Sequence, residues 1–139
     1  MASEHGFHFD TVQMPLNVMD AHFRSFQNQV LPVLLNERIA VLGMKTFGDH
    51  FILNSKTVTP IEALHYSMSL PTSVVITGID RPEILDQALE AVRTYKKLDD
   101  AAIGALLART QTAAANGRFE LYKISTHFDG TIRNPILLG

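Results

Sequence analysis

The chain has 139 residues, 46% hydrophobic and 19% charged, with 12 basic and 14 acidic side chains and a net charge of −2. This balance fits one folded domain with a real core and excludes a disordered segment or a nucleic-acid binder acting through bulk charge. Cysteine is absent, which excludes disulfides, thiolate catalysis and thiolate-bound metals.

No apolar stretch approaches the ~20 residues needed to cross a bilayer. The N-terminal MASEHGFHFD has no basic start followed by an apolar run, so no secretory signal is visible. A cytoplasmic location with no membrane partner is therefore expected.

The first element in chain order is a strand over Asp10–Pro15, DTVQMP, partly alternating. A helical pattern follows, with Phe26, Val30, Val33 and Leu34 on one face; Pro32 places its regular part from about Asn28 onward. The continuous apolar run Ile39–Met44 has the character of a buried parallel strand. Thr59-Pro60-Ile61-Glu62 then has capping-box spacing with proline at the first helical position, and Ile61, Leu64 and Met68 share the helix face behind it.

Ser73–Thr77, SVVIT, reads as the strongest of the three strands. After Asp80-Arg81-Pro82 comes an amphipathic helix whose Ile84, Leu85, Ala88, Leu89, Val92 and Tyr95 should face the sheet. A last helix begins at an aspartate cap near Asp99 and stops at Asn116-Gly117. The tail Arg118–Gly139 has no periodicity.

The three strands centre near Val12, Leu42 and Val75, a repeat of about 31 residues, which is one eighth of a ~250-residue (β/α)8 barrel. The fold expected is α/β: a single partial-barrel domain over residues 1–139. It has three parallel β-α units at roughly 10–37, 39–70 and 73–97, with a C-terminal helix and irregular tail over 99–139. Three units cannot close a barrel and would leave edges and faces uncovered. The chain is thus expected to form a homo-oligomer or to be part of something longer.

Chemistry-bearing residues fall at strand exits. Gly78 ends the third strand where backbone can approach a ligand, with helix N–H groups beyond it and Arg81 beside it. SVVITGIDRPE is neither a Walker loop nor a dinucleotide turn, so these residues by themselves favour a plain strand-helix joint over a phosphate site. Gln13 and Asn17 are carboxamides suited to an amide-bearing ligand or to loop backbone. The six histidines show no H-E-x-x-H spacing, and no metal is expected. His22 and His50 follow strands and His127 lies in the tail, where together they could activate water on a lactone or ester. Tyr66 and Tyr95 read as packing residues. Tyr122 and Asp49 are formal acid candidates.

VQMPLN, NERIAVLGMKTFG and SVVITGIDRPEILDQALEAV, in that order and spacing, resemble the sixth, seventh and eighth strands of an aldo-keto reductase with their exit loops. LLARTQTAAANGRFELYKISTHFDGTIRNP is similar to the tail of a bacterial subgroup. The resemblance implies a (β/α)8 barrel reducing carbonyls with NADPH and no metal. It implies that Gln13 meets the nicotinamide carboxamide and that Met44 takes the place of the usual stacking aromatic. Lys45, Thr46 and Phe47 would follow the pyrophosphate, and Gly78, Ile79, Asp80 and Arg81 would receive the adenosine phosphate. Gln87 would face the adenine, where the family has an acidic residue.

Ile84 stands where many members clamp the 2′-phosphate with arginine. The family's catalytic Asp-Tyr-Lys-His tetrad belongs to earlier strands and matches nothing here. The implied molecule keeps part of an NADP(H) surface without the catalytic half. The alternatives are a non-catalytic self-assembling fragment and the histidine hydrolase.

Overall fold

The computed structural model describes residues 3–126. The chain is mixed α/β, with one parallel sheet in the order β1 (Thr11–Pro15), β2 (Ala40–Met44), β3 (Val74–Val75). Between β1 and β2 run the short helices α1 (Phe26–Gln29) and α2 (Leu31–Asn36); between β2 and β3 run α3 (Phe51–Asn54) and α4 (Pro60–Ser69). Two longer helices follow, α5 (Pro82–Thr94) and α6 (Asp100–Ala114), and then a 3₁₀ turn at Leu121–Lys123.

Local chemistry accounts for these boundaries. Thr59 and Glu62 form the full reciprocal capping box of α4, with Pro60 in the first turn. Asp99 accepts a hydrogen bond from the Ala102 amide to start α6, and Gly117 just beyond that helix has φ +71°. The first helical pattern is split: Ser25 caps α1, and α2 restarts at Leu31 with Pro32 in its first turn. The buried positions there are Leu31 and Leu34, whereas Val33 is 56% exposed.

Cross-strand register sorts the sheet into two faces. Met14, Gly43 and Val75 are neighbours on one face, and Gln13, Leu42 and Val74 on the other. The first face is the core side: Met14 and Val41 are buried there, with Leu16, Leu64 and Ile52 in the same cluster. The second face is open. Thr11 and Gln13 are exposed, Ala40, Leu42 and Met44 are half-buried, and Val74 is exposed.

Two expectations fail at the same edge of the sheet. The third strand, expected over Ser73–Thr77, is regular only at Val74–Val75, with single bonds from the Ser73 and Ile76 amides to the Val41 and Gly43 carbonyls at its ends. The apolar stripe of α5 does not pack on the sheet: Leu85, Leu89 and Val92 are 44%, 41% and 64% exposed, and Ala91 is the helix's buried residue. Among the described residues no strand pairs with the outer edge of β3. Among these residues there is no further strand there for α5 to pack across. α5 is held instead from the α4 side, where His65 Nε2 donates to the Ala91 carbonyl at 2.9 Å and the Tyr95 hydroxyl to that of Met68 at 2.9 Å.

The C-terminal segment is pinned by buried charge. Lys123 Nζ lies 2.6 Å from Asp20 Oδ1, 3.1 Å from Glu120 Oε2 and 2.7 Å from the Phe23 carbonyl, with all three ionic side chains out of solvent. The 3.1 Å contact to Glu120 is an ion pair outside hydrogen-bond geometry. Asp20 also accepts from the Phe26 and Gln27 amides, supporting the start of α1.

Removing one member of a buried ion cluster strands the others, so Lys123→Met should lower unfolding free energy by about 3–5 kcal/mol. Thr59→Ala, which removes only a helix cap, should cost about 1 kcal/mol. Urea unfolding followed by circular dichroism separates the two.

Candidate functional site

A cleft of about 440 Å3 opens at the carboxyl ends of the three strands. Parallel sheets commonly bind ligands there, because the loops leaving the strands converge at that end. Its walls come from three segments: Gln13 on β1, the loop Met44–Phe47 with Asp49 and His50 after β2, and Ile76–Asp80 after β3.

The loop after β2 turns through left-handed backbone. Lys45, Asp49 and His50 have φ of +60°, +57° and +72°, a region that Asp and His enter more readily than most residues and that Arg24, Arg38 and Lys56 also adopt outside the cleft. Gly48, at +53°, is required as glycine, since a Cβ would lie 2.8 Å from the Phe119 carbonyl oxygen and 2.9 Å from Ile52. Lys45 Nζ reaches Asp49 at 2.6 Å and sits 5.9 Å from the centre of the Tyr122 ring. The Lys45 carbonyl accepts from the Asn17 carboxamide at 3.2 Å, which ties this loop to the first strand's exit.

Gln13 directs its amide nitrogen to the Met44 sulfur at 2.7 Å. Thr46 is 2% exposed, and its hydroxyl oxygen has no hydrogen-bond partner. A Cβ at Gly78 would meet nothing within 4 Å, so packing does not require glycine at this wall of the cleft.

The residues singled out by resemblance divide accordingly. Gln13, Met44, Lys45, Thr46, Phe47, Gly78, Ile79 and Asp80 line the one cleft. Arg81 and Gln87 lie outside it: Arg81 is the N-cap residue of α5, paired with Asp80 at 3.2 Å, and Gln87 is half-buried on α5. Both cations near a would-be phosphate are therefore already matched by a neighbouring carboxylate.

The histidine candidates are not brought together. His50 lines the cleft, whereas His22 Nε2 lies 3.1 Å from Thr110 Oγ1 on α6. His127 lies outside the described residues. No group of three or more potential metal ligands occurs among the described residues.

The acid candidates are spoken for. Tyr122 donates to Glu120 at 2.7 Å, and burial, reinforced by the Glu120 charge, pushes its phenol far above the usual range. Tyr66 is fully buried, donates to Gln27 at 2.8 Å, and is pushed up to about 12 chiefly by burial. Asp49 faces Lys45.

Asn17, read from the sequence as serving an amide-bearing ligand or loop backbone, bonds loop backbone; the buried charged group it joins beneath the cleft is what sequence reasoning missed. Asn17 donates to Glu120 at 3.1 Å and accepts from the Met19 and Asp20 amides at 2.9 Å. Asp20 is not the cap of α1, which is Ser25; it reaches the Phe26 and Gln27 amides from six and seven residues upstream, contacts that no local pattern announces. Nothing marked Glu120 and Lys123, more than ninety residues away.

A second hollow, of about 310 Å3, lies between α4, α5 and β3, lined mainly by apolar side chains. Comparison with protein-family models, curated proteins and solved structures finds no match to this chain.

His22 supplies a pH test of this architecture. Thr110 donates to the helix carbonyls of Leu106 and Leu107 at 3.0 and 3.1 Å, so His22 Nε2 is the donor to Thr110. Burial lowers the imidazole pKa below its ordinary 6.5, outweighing the opposing pull of Glu120. With the folded-state value depressed, the unfolded chain binds the extra proton. The stability from neutral His22 is thus fully present above pH 6.5 and is lost as pH falls through the lower folded value. His22→Gln should flatten the stability-versus-pH curve on the acid side of 6.5, checked by urea midpoints at a series of pH values. An unchanged slope would show that other groups set it.

Proposed function

We propose that this chain is a partial (β/α)8 barrel of aldo-keto reductase type that binds NADP(H) in the cleft at its strand exits without catalysing carbonyl reduction. The observation carrying this reading is convergence. Eight of the residues that the resemblance assigns to the cofactor come from three separate strand exits and line the same hollow.

The unpartnered Thr46 hydroxyl and the sterically unneeded glycine at position 78 support a ligand there. An orphaned buried hydroxyl costs stability, and a bound ligand would offset it.

In this reading Gln13 addresses the nicotinamide carboxamide, and Met44 offers a polarisable but non-aromatic wall. The Lys45 ammonium meets the pyrophosphate once Asp49 yields. The absence of a sequence match to the family's proton-donating tyrosine leaves hydride transfer without its general acid. Binding is therefore expected to be weak, and turnover absent.

Fluorescence titration with NADPH, with NADH alongside, tests the proposal. Saturable binding is expected, reduced several-fold by Lys45→Met. Asp49→Asn, which frees Lys45, should tighten binding by a few-fold, since an exposed ion pair is worth about 1 kcal/mol or less. Absence of saturation for both nucleotides, in protein shown to be folded, would refute it.

A further inference from the structure

We infer that the outer edge of β3 and the adjoining stripe of α5 are the seat for β1 of a second copy of this chain, in a head-to-tail contact that two copies make twice.

Both edges of the sheet are unpaired among the described residues, and both suit a parallel partner. The Asp10 carbonyl accepts from the Ala40 amide and the Leu16 amide donates to the Met44 carbonyl, so even-numbered residues of β1 face β2. The backbone groups of Thr11 and Gln13 therefore point away from it. At the other edge, β3 is two residues long and no strand lies beyond it among the described residues.

Apolar surface lies where such a contact needs it. Just before β1, Phe7 and Phe9 stack edge to face at 4.8 Å while 58% and 47% exposed. On the other side, Val74, Ile76, Leu89 and Val92 are 51%, 38%, 41% and 64% exposed. These six side chains hold roughly 500 Å2 of apolar area, most of the about 800 Å2 that each partner gives a stable interface, before edge backbone is counted.

Charge is compatible with a copy of this chain. Exposed Asp10 leads into β1, and the last turn of α5 and its exit carry exposed Arg93, Lys96 and Lys97 ahead of Asp99 and Asp100. A strand laid parallel to β3 begins at the amino end of the sheet, the end where α5 terminates. The acidic lead-in of one copy thus meets the basic exit of the other.

A two-fold axis along the strand direction forms both contacts at once and places the open faces of the two sheets toward each other. That covers Leu42, Val74 and Ile76, which a parallel sheet otherwise buries under a second layer.

Sedimentation and light scattering of the full chain test the contact. The expected wild-type mass is twice the 15.4 kDa of one chain. Val74→Lys on the β3 side and Phe9→Lys on the β1 side should each give a folded monomer, with folding verified by circular dichroism. Mixing the two variants leaves one intact pair of surfaces and should restore a species of twice the mass containing both chains. A folded wild-type monomer at high micromolar concentration, dimers indifferent to both substitutions, or variants that stay monomeric on mixing would each overturn the inference.

Discussion

The fold depends on one lysine ammonium held out of water. Lys123 sits between Asp20 and Glu120, whose carboxylates are themselves fully buried. Enclosing three ions is expensive, and the arrangement persists because neighbouring groups share the load. Asp20 is supported by the Phe26 and Gln27 amides, Glu120 by Asn17 and Tyr122, and Lys123 by the Phe23 carbonyl. The consequence is long-range: a segment near residue 120 fixes the loop leaving β1. Through Asn17 and the Lys45 carbonyl it also fixes the loop leaving β2. The cleft's geometry is thus set from beneath by charge rather than by the sheet alone.

A second constraint is the one-sidedness of the sheet. Helices cover the Met14–Val41 face, while the Gln13–Leu42–Val74 face stays open. Parallel strands have no cheap way to leave a face in water, because their sequences are apolar on both sides. The exposed stripe of α5 follows from a related deficiency: a helix that would bridge two strands finds only one among the described residues.

What was legible in the sequence was local. The positions of the three strands, though not the length of the third, the capping box at Thr59 and Glu62 and the glycine after α6 each follow from a few adjacent residues through their periodicity or capping chemistry. The split of the first helix at Val30, and the position of Val33 outside the core, did not follow from the pattern. Leu31, Val33 and Leu34 are equally apolar, and tertiary contact decides which are buried. The stripe of α5 was read correctly as a stripe and wrongly as a sheet contact, because amphipathicity names a face and not its partner. For the cleft, spacing placed the contributing loops at strand exits. The left-handed backbone of Lys45, Asp49 and His50 did not follow from the sequence: Asp and His are enriched at positive φ, but most Asp and His residues do not adopt it, and Lys carries no such preference.

The two proposals meet at Ile76. This residue lies on the wall of the cleft and is among the apolar groups that pairing would cover; Gln13, another wall of the cleft, sits on the strand whose free edge would be used. If two copies pair, the strand exits of both surround a single mouth, and the position of β1 from one copy bears on the cleft of the other. Binding and association then share a free energy: a ligand that prefers the paired form must strengthen pairing by the factor by which pairing strengthens its own binding.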